Sequence, residues 1–302
     1  MEDSAFCRQS SIAAGEPLVA TASAQVQQWL LLEVREPWEA KAVEAAPLPP
    51  AVRTALDGWL RTLPRCRPQL IRRPPRADAG PRHVMLASSR ADFVARFEIG
   101  GYEDLLHLDP PAAFEALERG DVPPGAARID VPLVLVCTHG KRDACCAKWG
   151  RAIYQSAATQ VGFEVWQTSH LGGHRFAPTL TVLPLGLSYG RLSPDDVPAL
   201  LQATARGEVW SLPHFRGRHA FDAWTMAAEH HVRAHTGERD AAVIEPLETL
   251  DLDSGKRVRI RVGAAVFRVD LRRTPWHAEL LPSCGAAPER PVVLELVALA
   301  RE

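Results

Sequence analysis

Cysteine is scarce in this chain, six residues in 302 with two of them adjacent, which excludes the spaced disulfide framework of a secreted scaffold. No stretch approaches the run of about 18 apolar residues that a membrane-spanning helix needs. The opening MEDSAFCRQSSIAAGE lacks a basic segment followed by an apolar one, so no export leader is expected. An excess of charge is missing as well: 35 Lys plus Arg stand against 36 Asp plus Glu, a net charge of -1. Without a basic surplus there is no broad footprint for nucleic acid or anionic lipid. Internal repeats are not visible. The absences together predict a cytoplasmic protein with neither a nucleic-acid nor a membrane partner, which recognises its partners locally.

What remains is ample for a core, with 46% hydrophobic and 24% charged residues, enough for one large or two ordinary domains. In the first third, WLLLEV (29–34) reads as a buried strand and AVRTALDGWLRTL (51–63) as an amphipathic helix. PQLIRR and RHVMLAS read as strands separated by the loop RRPPRADAGPR. A short helix flanked by prolines follows, and a boundary is expected near residue 125.

The second unit opens with DVPLVLVCTHG, a strand of branched residues ending at Cys137. DACCAKWGRAIYQSAATQ is helical, with Asp143 placed at its N-terminus. FEVWQTSH reads as a strand ending at His170, LGGHRFAP as a glycine-rich turn, and TLTVLPLGLSYGRL as two strands or a hairpin. A helix opened by Ser193 and Pro194 completes a β-α-β-β-β-α order. Beyond it, HAFDAWTMAAEHHVRAH is a helix, and KRVRIRVG, AAVFRVDL and VVLELVAL are strands of a β-rich tail. The expected divisions are 1–125, an α/β lobe; 126–206, the second unit; and 207–302, the helix and tail.

Chemistry concentrates in the second unit. Cys137 ends a strand, Cys145 and Cys146 open the next helix, and His170 and His174 form H-x-x-x-H around Gly172 and Gly173. Strand ends in an α/β sheet share an edge where ligands gather, so two thiols and two imidazoles can converge. The glycines let the backbone bend until both rings face one point. Such a donor set suits tetrahedral zinc and equally a [2Fe–2S] cluster. A Cys145–Cys146 disulfide would be a strained vicinal bond, and the spacing from Cys137 is not the C-x-x-C of a thiol oxidoreductase.

VCTHGKRDACCAKWG followed by VWQTSHLGGHRFAPTLTVLPLGLSYGRL closely resembles the sucrase/ferredoxin-like family, and the resemblance extends to GEPLVATASAQVQQWLLLEVREPW near the N-terminus. The resemblance implies a thioredoxin-like [2Fe–2S] ferredoxin domain in the second unit, with H-x-x-x-H replacing the second cysteine pair of such ferredoxins. Carried over by position, it implies Cys137 and Cys146 on one iron and His170 and His174 on the other. Cys145 departs from the family's pattern and is left as a spare thiol or an alternative ligand. The implied function is one-electron transfer or redox sensing with an unidentified redox donor or acceptor protein, rather than stand-alone catalysis. Two thiolates and two neutral imidazoles bring an oxidised cluster to zero charge, against -2 for an all-cysteine site. The potential is therefore expected above plant-type values of roughly -400 mV, towards the range of about -150 to +300 mV, with imidazole protons coupled to reduction.

Other residues have plainer readings. His139 reads as a solvated loop histidine, and Trp149 and Trp166 as core aromatics. Lys141, Arg142 and Arg175 either stabilise an added electron or form salt bridges with residues such as Asp143. GLSYG (186–190) fits the G-x-S-x-G of hydrolases, but Leu187 and Tyr189 continue a strand where that motif needs a turn into a helix. His231 and His235 sit four apart on a helix, read as a solvated face. The family's sucrase label implies glycoside cleavage, for which no carboxylate pair stands out. The rival from another class is a zinc-stabilised binding module using the same two cysteines and two histidines.

Overall fold

The computed structural model describes residues 6–74 and 80–302. Residues 1–5 of the opening stretch, and 75–79 of the expected RRPPRADAGPR loop, lie outside the described residues. A short helix α1 (Cys7–Ala13) precedes strand β1 (Gln28–Glu33), helix α2 (Pro50–Thr62) and strands β2 (Cys66–Arg72), β3 (Arg82–Ser88) and β4 (Val94–Ile99). Helix α3 (Pro110–Glu118) and strand β5 (Ala127–Ile129) lead into β6 (Leu133–Cys137), helix α4 (Ala144–Ala158) and β7 (Glu164–Thr168). The chain continues through β8 (Leu180–Leu183), β9 (Leu187–Tyr189), α5 (Val197–Ala205), β10 (Phe215–Arg218) and α6 (Ala223–Thr236). It closes with β11 (Ile244–Leu252), β12 (Gly255–Val262), β13 (Ala265–Pro275) and β14 (Val292–Arg301).

Strands β1 to β10 form one ten-stranded sheet in the order β10-β9-β8-β6-β7-β2-β1-β3-β4-β5. Its two parallel pairs are β1 with β2 and β6 with β7, each joined by a crossover helix, as parallel neighbours require. Around β1 the local order is β2-β1-β3-β4; around β6 it is β7-β6-β8-β9. Both halves thus repeat one β-α-β-β-β-α succession, and they join edge to edge where Ile71 faces Thr168 and Arg72 faces Gln167 on antiparallel β2 and β7. The N-terminal lobe therefore shares the second unit's topology, which its sequence does not show. The sheet runs straight across residue 125, and β10 extends it past residue 206.

Helices cover the sheet, so its central strands are buried on both faces and lack the polar alternation of a half-exposed strand. In β6, Val134 and Val136 pack with Ile153, Leu200 and Leu201, whereas Leu133, Leu135 and Cys137 face the layer containing Trp29, Leu31, Met85 and Trp166. Trp166 is buried as expected, and Trp149 is partly buried against Phe6. The β-rich tail is a separate antiparallel meander, β11-β12-β13-β14. Helix α6 covers one of its faces through Ala227, Ala228 and Val232 against Val258, Ile260 and Val269. Among the described residues no helix is long and apolar enough to cross a membrane.

Several local expectations need correction. Strand β7 stops at Thr168, two residues before His170: Ser169 still donates its N–H to the Leu70 carbonyl, but the Leu70 N–H goes to the Ser169 hydroxyl and the Ser169 carbonyl to the Gln69 side chain, which ends the ladder. The Ser193–Pro194 start opens a single 3-10 turn, Pro194–Asp196, before α5. Strands β4, β5, β10 and β11 add to the expected elements, and short or charged segments such as FRGR carry little hydrophobic pattern. On α6, His235 is exposed against Phe267, but His231 is half-buried rather than solvated.

Candidate metal and redox centre

The parallel pairing of β6 and β7 sets Cys137 opposite Thr168, so the end of β6 and the turn after β7 emerge at one sheet edge. Helix α4 begins at the same edge. Asp143 caps it, accepting the Cys145 backbone N–H at 2.8 Å. Gly150, one face further along α4, packs so tightly on β6 that a Cβ there would lie 2.0 Å from the Cys137 carbonyl oxygen. Cys137 and Cys146 are fully buried, and their sulfurs with a His170 nitrogen all lie within 4.8 Å of one another.

The His170–His174 turn needs its glycines. Gly172 and Gly173 have φ of 96° and 69°, in the left-handed region. A Cβ on Gly173 would also meet the Arg216 guanidinium at 2.3 Å. His174 is not part of the compact three-residue group; its ring stacks on that of His170 with centroids 5.0 Å apart. The His174 Nε2–H donates to the Pro282 carbonyl at 2.7 Å, and Asp143 Oδ2 lies 3.8 Å from the same nitrogen. Nδ1 therefore carries the ring's lone pair, and it is buried without a hydrogen-bond partner. His170 Nδ1 lies 3.9 Å from the Cys146 sulfur.

Electrostatics favour a thiolate here. The Cys146 thiol hydrogen-bonds Cys137 and holds it well below the ordinary thiol value; burial opposes this, while His170 and the His139 backbone N–H reinforce it. Cys146 is raised correspondingly, first by that shared hydrogen bond and then by burial. A metal bound there would take both sulfurs as thiolates and displace the protons they hold.

Of the cations in the motif, exposed Arg142 acts on His174, its charge opposing protonation of the ring. Lys141 pairs with Glu39 at 2.6 Å and Arg175 with Glu16 at 2.9 Å. Arg67 donates to the His170 carbonyl at 2.8 Å, and buried Arg216 donates to the Gly172 carbonyl at 3.1 Å and to Thr21. Burial lowers both guanidiniums, Arg216 to about 9, and the Cys137 sulfur acts in the opposite direction on each. They lie within electrostatic reach of the thiols, supplied by distant segments that no local motif reveals. His139 is a correction: it is buried, with Nε2 2.9 Å from the Glu39 carbonyl and its ring edge-on to Trp38. Ser188 lies buried within β9, away from any strand-to-helix elbow.

Cys145 points elsewhere. Its sulfur lies 3.3 Å from that of Cys7 and 3.3 Å from that of Cys284. All six cysteines are free thiols. Burial opposes ionisation of Asp143, but N–H groups of Cys284 and Cys145 outweigh it and hold the carboxyl below its ordinary value.

A stretch of 95 residues is 30% identical to "Altered inheritance of mitochondria protein 32" from Meyerozyma guilliermondii, covering 28% of this chain. The match spans only about a third (34%) of that curated relative's length. Among solved structures, the wild-type thioredoxin-like [2Fe–2S] ferredoxin from Aquifex aeolicus is 17% identical, covering 29% of this chain and 98% of that one, at a TM-score of 0.27. A serine variant of it is 19% identical, covering 29% and 99%, at 0.25. These scores are too low to establish a shared fold for the whole chain. Residues 19–217, about two thirds of the sequence, match the sucrase/ferredoxin-like family, and with its cysteines and histidines gathered at one sheet edge the chain belongs to that family.

Proposed function

We propose that this protein binds a [2Fe–2S] cluster and works in one-electron transfer or redox sensing. Cys137 and Cys146 would hold it as thiolates, with His170 and His174 as imidazole ligands. The observation that carries this reading is that the buried Cys137 and Cys146 sulfurs and a His170 nitrogen lie within 4.8 Å of one another, with the His174 ring stacked on His170 and its buried Nδ1 left without a partner. An orphaned buried acceptor costs about 1–3 kcal/mol, which a metal bond would offset. A cluster bound there supplies one-electron redox chemistry.

The chain's own residues do the rest. Pro282 fixes the His174 tautomer, because its carbonyl accepts the Nε2–H and leaves Nδ1 free to ligate. Arg67 and Arg216 hold the histidine turn and place two positive charges where added negative charge would accumulate. Buried Cys137 and Cys146 keep water from the sulfur side, while the partly exposed His170 and His174 form the edge through which a redox partner protein would exchange electrons.

The test is anaerobic purification of the full chain. A brown-red protein with about two irons and two sulfides per chain, bleached by dithionite and then paramagnetic, supports the reading. A colourless protein in which these four residues bind zinc through two sulfurs and two nitrogens would overturn it.

A further inference from the structure

We infer that Cys7, Cys145, Cys284 and Asp143 form a second, mononuclear metal site that takes a single zinc ion. Their ligand atoms all lie within 4.8 Å of one another. The three sulfurs form a closed triangle with edges of 3.3, 3.3 and 3.7 Å. Asp143 Oδ1 lies 3.2 Å from the Cys284 sulfur and 3.8 Å from that of Cys7.

The triangle decides between chemistries. A tetrahedral ion with Zn–S of about 2.3 Å spaces its sulfurs at about 3.8 Å, close to the observed edges. Thiolates on different irons of a cluster are held further apart by intervening metal and sulfide, so three mutually adjacent sulfurs point to one ion. A disulfide would join two of the thiols at about 2.05 Å and strand the third; here all three are nearly equidistant. Three soft sulfurs and one carboxylate are a zinc-type donor set. Binding replaces three thiol protons by one Zn²⁺, releases three protons and leaves a site of charge -2. The Arg8 and Cys7 backbone N–H groups hydrogen-bond the Cys145 and Cys284 sulfurs, which helps disperse that charge.

The three cysteines come from α1, the start of α4 and the segment after β13, with sequence separations of 138 and 139 residues between the thiols 3.3 Å apart. The ion would therefore clip both ends of the described chain to the redox unit. It would also reach the proposed cluster site: Cys284 lies two residues beyond Pro282, whose carbonyl orients His174, and Asp143 lies 3.8 Å from that histidine.

The experiment uses the full chain purified anaerobically with Zn(II) supplied, with metal analysis and X-ray absorption at the zinc edge. One zinc per chain, coordinated by three sulfurs and one oxygen, is expected. It should be lost in Cys7→Ser and in Cys284→Ser and kept in Cys137→Ser. Zinc absent, zinc bound by two sulfurs and two nitrogens, or zinc unaffected by both Cys7→Ser and Cys284→Ser would each overturn the inference. The wild-type zinc spectrum needs no variant to fold. The zinc result also stands apart from the iron content, so failure of the redox reading leaves it testable.

Discussion

Cys145 and Cys146 are adjacent on α4, yet the Cys145 sulfur lies 3.3 Å from those of Cys7 and Cys284 while the Cys146 sulfur faces Cys137 and His170. Successive helical residues point about 100° apart, so one turn of helix serves two clusters.

The two thiols should therefore give unequal mutants. Cys146→Ser should lose the iron–sulfur absorbance or most of it, and Cys145→Ser should keep it nearly whole. Iron analysis and visible spectra of both variants decide the matter. Equal losses would mean that the two clusters share a ligand.

His174→Cys should lower the midpoint potential. The substitution puts a thiolate where a neutral imidazole stood, so the oxidised site moves from 0 to -1 and reduction becomes harder, towards the roughly -400 mV of all-cysteine sites. Potentiometric titration of wild type and variant measures the change. An assembled cluster with an unchanged potential would remove His174 from the ligand set.

Gly150→Ala should destabilise the protein, against the usual trend. In an ordinary helix interior this change stabilises by about 1 kcal/mol. Here the new Cβ would sit 2.0 Å from the Cys137 carbonyl oxygen, so α4 must lift off β6. The overpacking cost is about 1–3 kcal/mol, and iron loading should fall with it because Cys146 moves relative to Cys137. A urea midpoint equal to or above wild type would contradict that contact.

Acid should act through His219, which is fully buried between the Ser23 carbonyl at 2.8 Å and the Thr181 hydroxyl at 3.0 Å. Burial, with Arg67 and Arg216 adding to it, lowers its pKa to about 3. The unfolded chain takes up this proton near pH 6.5 and the native state does not. Its contribution to stability is thus fully present above about 6.5 and is lost at about 1.4 kcal/mol per pH unit as pH falls towards 3. Half-buried His230, lowered to about 4, adds a similar slope. Urea unfolding at several pH values should show a flatter decline for His219→Gln than for wild type. Identical slopes would show that His219 titrates normally.

Local pattern was enough to read most of the helices and strands, because apolar runs such as LVLVC and amphipathic repeats such as AVRTALDGWLRT carry their own periodicity. It also gathered Cys137, Cys145, Cys146, His170 and His174 as candidates, since their spacing and the glycines of the turn lie within 38 residues of sequence, while the choice of Cys146 over Cys145 came from the family resemblance. The tertiary structure alone decided how those elements combine. The shared topology of the two halves appears only in strand order, because topology constrains which faces are buried and leaves the identity of the apolar residues free. His139 is buried because Trp38 and the Glu39 carbonyl, a hundred residues away, close over it. Arg67 and Arg216, which hydrogen-bond the histidine turn, come from strands whose local sequence gives no reason to place them by the cysteines. Nothing in the local sequence around Cys7 or Cys284 relates either thiol to Cys145, for the same reason. Contacts across more than a hundred residues are set by packing of the whole chain, and no local spacing encodes them.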